Sequence, residues 1–472
     1  MHRFLKLVFS INFLYLLCVA AETAAIIFLC LFLPSVMSLT AVCIGVWILN
    51  VTVSCLIIAK GRTAEVNCAL ILLVISLPVL GAVIYFFTCI KSKNGGTVKI
   101  KDAKPQTQLE KACLSFCGIG GANYDRAEYF SSGEKYFESL FKAIENAKSY
   151  VYLDFFIIGK GKIFMRLASA LESAAKKGVS VKIICDGIGS AFKLGKKEIK
   201  RLKELGAEVK IFHKLKPFFY SRLNVRDHRK IDVIDGNAVF LGGINIADEY
   251  ANENSPYGYW KDSGAVIYGA AAKAFEGIFL AAMNGDGETD CGGEGKYRCL
   301  PFYDVPPIKT SFAETAFVYK VNGAKDRVHI MTPYFCPGEK LSTAIEFAAL
   351  RGVDVKIIIP HIPDKKYAFE LSKACAEKLM PSGVKFYEYT PGFMHAKVMV
   401  CDGEVYIGSY NFDFRSMRLN CECGVILDGE AASEAEYDFK SSMRLSAPLE
   451  IKKLSPFKKA VRLFLRLVSP LI

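Results

Sequence analysis

HRKIDVIDGNAVFLGGIN (228–245) and HAKVMVCDGEVYIGSYN (395–411) repeat one pattern within a single chain. Both carry His-x-Lys-x4-Asp: His228, Lys230 and Asp235 in the first, His395, Lys397 and Asp402 in the second. Along an extended strand a histidine and a lysine two apart share a face. The apolar residues that follow (Ile231, Val233; Val398, Val400) suit a strand buried in a sheet. Asp235-Gly236 and Asp402-Gly403 then predict a tight turn into a second strand. That strand ends in Gly242-Gly243-x-Asn245 or Gly408-Ser409-x-Asn411, where small residues admit close backbone approach and the asparagine adds an amide.

The duplication extends upstream. AKSYVYL (147–153) matches AKDRVHI (324–330), and AAKKGVSVKIICDG (174–187) matches AALRGVDVKIIIPH (348–361). Each pair brackets a helical pattern ending at Gly178 or Gly352, the strand–helix–strand signature of a sheet with parallel neighbours. The expected fold class is therefore α/β, with two tandem copies of one domain.

Two lysines and two amides brought together make a compact positive pocket suited to a phosphate oxyanion. Two histidines can share phosphodiester exchange: one attacks phosphorus while neutral, and the other, protonated, hands its proton to the departing alkoxide. The lysines supply the charge neutralisation that a divalent ion would otherwise provide, so no metal and no cofactor is expected. The 16 cysteines show no ligand spacing and read as small hydrophobes in a reducing compartment.

These motifs resemble the phospholipase D superfamily, and within it the bacterial cardiolipin synthase family. The resemblance is carried by HRKIDVIDGNAVFLGGINIADEY (228–250), Tyr259-Trp260-Lys261-Asp262, MTPYF (331–335), RGVDVKIIIP (351–360), HAKVMVCDG (395–403) and NFDFRSMRLNCE (411–422). FSSGEKYFESLFKAIENAK (130–148), Pro78-x2-Gly81-x3-Tyr85 and the terminal LVSPLI add to it. It implies two phospholipase D-like α-β-α sandwich domains in a pseudo-two-fold pair, preceded by transmembrane helices, with one active site formed between the halves.

The resemblance further implies a phosphohistidine-type intermediate. His228 would be the nucleophile and His395 the acid/base, an order that the pseudo-symmetry leaves open. Lys230, Lys397, Asn245 and Asn411 would hold the phosphoryl oxygens, and Asp235 and Asp402 complete the repeated catalytic set at positions that also suit turn stabilisation. Each histidine would be oriented by a carboxylate downstream of its own motif, for which Asp262 and Glu422 stand in the right strings. Ser409 and Ser416 read as small polar residues. The second hairpin is one residue shorter than the first, which puts the placement of Asn411 in question. FEGIFLAAMN (275–284) departs from the aromatic–acidic pair usual in the family, and the region joining the halves is abbreviated.

Six charged residues lie within 1–90 (Arg3, Lys6, Glu22, Lys60, Arg62, Glu65), which leaves the rest of the chain with +11 of the net +13. Apolar runs at 7–33, 37–59 and 66–90 each suffice to cross a bilayer. Basic residues flank all of them, so the side on which the body sits stays open. The organisation expected is a membrane region of two to three helices (1–90), a polar connector (91–125), a first domain (126–285), a linker (286–310), a second domain (311–450) and a basic amphipathic tail (451–472) fit to lie on anionic lipid. The predicted activity joins two phosphatidylglycerol molecules into cardiolipin with release of glycerol, in a multi-pass protein of the bacterial cell membrane. Its expected partners are phosphatidylglycerol, other anionic phospholipids and the bilayer itself, with no obligate protein partner. The same catalytic set also serves a phospholipase D-type hydrolase or a phosphatidyltransferase with another acceptor, such as a phosphatidylserine synthase. A nucleic-acid phosphodiesterase is disfavoured, because the positive charge is diffuse and no Arg/aromatic stripe accompanies it.

Overall fold

The computed structural model describes residue 24 and residues 36–60, 64–88, 96, 98–101, 104–191, 193–214, 225–290, 293–306, 308, 310–451 and 455–468. The chain divides into two compact units, one built on the N-terminal apolar region and one holding residues 93–217 and 222–462.

In the N-terminal unit, Val36–Ala59 is a single helix, and its segment Thr40–Ala59 is the one helix among the described residues long and apolar enough to cross a bilayer. The run at 7–33 lies outside the described residues. The run at 66–90 departs from expectation, forming two short helices, Ala64–Ser76 and Leu80–Thr88, instead of one span. Pro78 lies between them, and a proline both lacks an N–H and clashes with the preceding turn. Gly81 sits at this break, where a Cβ would fall 2.6 Å from the Leu73 carbonyl oxygen.

The second unit contains both copies of the repeat. In the first copy seven strands form one sheet: β1 (Arg126–Phe130), β2 (Tyr150–Phe155), β3 (Ser180–Asp186), β4 (Glu208–Phe212), β5 (Lys230–Ile234), β6 (Ala238–Gly242) and β7 (Gly264–Tyr268). Their spatial order is β1-β7-β6-β5-β2-β3-β4. The second copy supplies β8 (Tyr297–Asp304), β9 (Arg327–Met331), β10 (Asp354–Pro360), β11 (Lys385–Tyr389), β12 (Val398–Cys401), β13 (Glu404–Gly408) and β14 (Asn420–Leu427). These run β8-β14-β13-β12-β9-β10-β11, the same order. The senses agree as well: β2-β3-β4 and β9-β10-β11 are parallel, and all other neighbours are antiparallel.

Strand alternation sorts the core. In the first sheet Ile231, Val233, Val239, Leu241 and Ala265 face the helix Ala271–Asn284, while Val151, Leu153, Phe240 and Val266 face the helix pair Gly133–Glu145 and Lys162–Ala175. Phe240 is fully buried, its ring 6.3 Å from that of Phe130 and 5.7 Å from that of Tyr136. Truncating it to alanine would cost about 3–5 kcal/mol. The second copy repeats the plan with Phe312–Gly323 and Glu339–Leu350 on one face and Glu430–Arg444 on the other.

The single helices reach across reciprocally. Ala271–Asn284 packs on β8 of the other copy, and Glu430–Arg444 packs on β1, where Glu434 and Asp438 accept from the Tyr129 N–H and hydroxyl. Two expected boundaries are corrected by this. Residues 286–310 are not a linker, because Tyr297–Asp304 is the strand β8 and Gly287–Asp290 pairs with Val98–Lys101. The polar connector is likewise folded into the unit over residues 104–125: Gln108–Cys117 is a helix capped by Thr107, with Cys113 fully buried.

Candidate active site

Two short parallel strand pairs join the halves, and their register builds the site. Arg226–Asp227 pairs with Asn420–Cys421, placing Asp227 opposite Cys421, so His228 and Glu422 come next in step. Tyr259–Lys261 pairs with Gly392–Met394, placing Lys261 opposite Met394, so Asp262 and His395 come next in step. The His228 N–H donates to the Cys421 carbonyl (2.9 Å) and the His395 N–H to the Lys261 carbonyl (2.6 Å).

The side chains follow. His228 Nδ1 lies 2.9 Å from the Glu422 carboxylate, and His395 Nδ1 lies 2.6 Å from Asp262 Oδ2. Each histidine is thus held by a carboxylate of the opposite half. The expectation that each would be oriented from downstream of its own motif is corrected: the partners are exchanged, because the strand leading into each histidine pairs with the strand leading into the other half's carboxylate. Chain order does not reveal which lead-in strands pair.

Lys230 and Lys397 are both buried, and each Nζ donates to the carbonyl of the histidine two residues before it. Lys397 Nζ also lies 3.0 Å from His395 Nδ1 and 3.2 Å from Nε2. Gly243 explains how tightly the halves close: a Cβ there would stand 2.3 Å from Asp262 Oδ1 and 3.2 Å from Lys397 Cδ.

The shorter second hairpin leaves the site in register. Ile231 faces Leu241, and Val398 faces Ile407. The next step brings Lys230 to Gly242 and Lys397 to Gly408, so the missing residue comes out of the turn. Asn245 and Asn411 both follow their glycine by three. Their settings nonetheless differ. Asn245 accepts from the Ile157 N–H (2.9 Å) and donates to the Tyr250 hydroxyl (2.7 Å), whereas the buried Oδ1 of Asn411 has no hydrogen-bond partner among the described residues.

Asp235 and Asp402 lie at the other end of the hairpins, and a catalytic role for them is corrected to a turn role. Asp235 accepts from the N–H groups of Lys148, Ser149 and Tyr150 (2.9, 2.7 and 2.9 Å). Asp402 accepts from those of Lys325, Asp326 and Arg327 (2.9, 3.0 and 3.0 Å). Both adopt left-handed backbone, with φ of 52° and 53°. Each carboxylate therefore ties the hairpin to the start of the neighbouring strand. Ser409 sits beside Glu422, its hydroxyl accepting from the Cys423 N–H (3.0 Å), while the Ser416 N–H donates to Asp413 at the start of the helix Phe414–Arg418.

Burial and the two lysines set the protonation states. Burial first, then Lys230 and Lys397, holds the His228 imidazole well below its ordinary pKa. Burial and Lys397 take His395 down to about 4 against the pull of Asp262. Burial would raise the Asp262 carboxyl, but His395, Lys397 and the Ser263 N–H together hold it below its usual value. Glu422 goes the other way, raised by burial to about 7 despite Lys230. Burial lowers Lys230 to about 8 and Lys397 to about 7. Both imidazoles are accordingly neutral in the empty site, each with Nδ1 turned to a carboxylate.

The surroundings of the two histidines were not read from the sequence. Tyr250, Trp260 and Phe393 enclose His395, with ring centroids 5.4, 4.9 and 5.6 Å away. His228 instead has Phe156 at 5.0 Å and is flanked by charge, with Arg229 bonded to Asp227 through two nitrogens (2.8 and 2.6 Å). The flanking residues did carry the signal, RDHRK (226–230) against FMHAK (393–397).

Residues 140–278 and 318–443 match the family model described as "Cardiolipin synthase, PLD-like domain". The chain belongs to this family. Among its relatives, a cardiolipin synthase of a Geobacillus species is 34% identical over 72% of this chain and 71% of its own length. A cardiolipin synthase of Clostridium perfringens is 31% identical over 88% of this chain and 95% of its own. The crystal structure of a phosphatidylserine synthase from Haemophilus influenzae shares the fold, with a TM-score of 0.60 at 14% identity over 77% of this chain and 99% of its own.

Proposed function

We propose that the chain is a cardiolipin synthase that moves a phosphatidyl group from one phosphatidylglycerol to another through a phosphohistidine. The observation that carries this reading is the pair of crossed histidine–carboxylate dyads around two buried lysines, in a chain of this family. The donor phosphodiester sits between Lys230 and Lys397. Neutral His228, its Nδ1 held by Glu422, attacks phosphorus through Nε2, and the bond from phosphorus to the glycerol oxygen breaks. His395 gives its proton to that oxygen. The proton is available because the negative diester offsets the Lys397 charge that, after burial, holds His395 neutral, and ionised Asp262 stabilises the imidazolium. The hydroxyl of the acceptor lipid then loses its proton to His395 and attacks the same phosphorus, releasing His228 and forming cardiolipin.

The His228-first order is supported by the difference between the dyads. The histidine that must carry a proton is paired with the carboxylate kept ionised, and the one that must stay neutral is paired with the carboxylate pushed toward neutrality. Both substrates live in a bilayer, so we read the N-terminal region as a multi-pass anchor in the bacterial cell membrane. We read the tail helix Pro456–Val468 as an interfacial element that favours anionic lipid over nucleic acid. Its Val461, Leu463, Phe464 and Leu467 are exposed beside Lys458, Lys459 and Arg466.

The test is conversion of phosphatidylglycerol vesicles by the purified chain, with His395→Ala as control. Cardiolipin and glycerol should appear in equal amounts and vanish in the variant. Phosphatidic acid as the main product would replace the reading with a hydrolase. Trapping the phosphatidyl group on His395 alone would reverse the roles.

A further inference from the structure

Building on the proposed reaction, we infer a second anion subsite beside the catalytic pocket, formed by Lys365, Arg415 and Asn411, that receives the phosphoglycerol head of the acceptor lipid. The chemistry requires such a place. The attacking hydroxyl of phosphatidylglycerol is separated from the lipid's own phosphodiester by three carbons and one ester oxygen. When that hydroxyl reaches the phosphohistidine, a second negative phosphate therefore stands one side-chain length away. Lys230 and Lys397 are buried beside the histidines, each held by a histidine carbonyl, and in the proposed reaction they serve the reacting phosphate.

The fold supplies the second set at one edge of the site. Phe335–Cys336 and Phe412–Asp413 form a parallel pair with Phe335 opposite Phe412, so Tyr334 and Asn411 lie side by side just before it. Tyr334 carries Lys365: the ammonium lies 3.2 Å from the Tyr334 hydroxyl and 4.9 Å from the ring centre. Arg415 follows Asn411 on the helix Phe414–Arg418. Lys365 remains 49% exposed, so the cation can be reached from solvent, while Arg415 is half-buried. Both add to the positive field that acts on His228, which places them on the nucleophile's side of the pocket.

The carboxylates nearby are engaged. Asp364 accepts from the Tyr334 hydroxyl at 2.6 Å and stands 3.7 Å from Lys365, and Asp413 accepts from the Ser416 N–H at 2.7 Å. The unmet Oδ1 of Asn411 supplies what a glycerol hydroxyl needs, an acceptor without a donor. One molecule would reach all three residues: terminal hydroxyl to phosphorus, secondary hydroxyl to Asn411, phosphodiester to Lys365 and Arg415.

The experiment sets a charged acceptor against a neutral one. The full-length chain in detergent micelles of labelled phosphatidylglycerol, with ethanol added, partitions the phosphatidyl group between cardiolipin and phosphatidylethanol. Lys365→Gln and Arg415→Gln should each lower the cardiolipin-to-phosphatidylethanol ratio about tenfold, the loss of one charge-assisted contact. Lys365→Arg should restore the ratio. A Lys365→Gln chain that keeps the wild-type ratio, or loses both products in step, overturns the subsite. A wild-type chain that forms phosphatidylethanol but no cardiolipin overturns the proposed function, and the subsite with it.

Discussion

Neutralising the two dyad carboxylates should have unequal consequences. Asp262→Asn keeps the shape of a fully buried side chain while removing a charge that the site maintains at neutral pH. It breaks a 2.6 Å charge-assisted bond to His395 Nδ1, a contact worth about 1.5–3 kcal/mol, or roughly 10- to 150-fold in rate. An amide can also donate to Nδ1 and move the ring proton to Nε2, where it blocks the base; in a serine-protease triad the same exchange costs about 10⁴-fold. The expected loss in cardiolipin formation is therefore between about 10² and 10⁴. Glu422→Gln removes a charge that is already half absent at pH 7, because burial raises that carboxyl to about 7. Its expected cost is about tenfold or less. The assay is initial rate on labelled phosphatidylglycerol in mixed micelles, with histidine titrations followed by nitrogen-15 NMR in the same variants. Asp262→Asn should shift His395 and leave the titration of His228 nearly where it was. Equal losses in the two variants would refute the argument, as would a larger loss for Glu422→Gln or an Asp262→Asn effect confined to His228.

Removing the Asp402 carboxylate (Asp402→Ala) leaves three backbone N–H groups without their acceptor, so stability should fall by about 1–2 kcal/mol in thermal melts, while the folded fraction keeps forming cardiolipin. The carboxyls of Asp235 and Asp402 are raised by partial burial but held below their usual values by the backbone N–H bonds, so their contribution is present above the ordinary aspartate pKa. It should disappear as acid titrates them, and urea midpoints followed downward from pH 5 would show the decline in wild type but less of it in Asp402→Ala. On the alkaline side, kcat/KM should drop as pH rises through about 7 to 8, where Lys397 and then Lys230 lose their charge in the empty site. On the acid side it should drop only once pH falls far enough to protonate the nucleophile His228, which burial and then Lys230 and Lys397 hold well below its ordinary pKa. An alkaline limb that stays flat to pH 9 would contradict the lysine assignment. Leu463→Asp combined with Phe464→Asp removes two exposed apolar groups from the tail helix. Turnover of phosphatidylglycerol in vesicles should then fall about a hundredfold or more beyond the change in detergent micelles, the two side chains together being worth about 3 kcal/mol or more when buried in lipid.

The duplication was legible because it is written in local terms. His-x-Lys-x4-Asp, the turn after it and the Gly-x-Asn tail recur within a few residues, and the strand–helix–strand frames recur around them. Strand order followed without being spelled out, since both copies solve the same packing problem with the same apolar alternation. The exchange of Asp262 and Glu422 between histidines was not legible. It depends on Arg226–Asp227 pairing with Asn420–Cys421, nearly two hundred positions apart, and nothing local marks that pairing. Residues 286–310 misled through composition: a Gly- and acid-rich stretch reads as a linker, yet Tyr297–Asp304 is a strand of a sheet, paired with both Ala122–Tyr124 and Asn420–Leu427. The apolar run at 66–90 satisfied a length criterion while Pro78, visible throughout, divides its helix. Asp235 and Asp402 share the motif with the proposed catalytic residues, and the hairpin that presents the lysine uses them as a clasp at its far end.

The crossed strand pairs bear on how the enzyme turns over. The bonds from His228 N–H to the Cys421 carbonyl and from His395 N–H to the Lys261 carbonyl lie directly beside the dyads they align. A hinge opening between the halves would separate both histidines from their carboxylates at once. The proposed cycle therefore runs on a closed seam, with glycerol leaving and the second lipid head arriving at its rim. In the proposed cycle the exchange of glycerol for the second lipid head then proceeds at the rim, without domain motion.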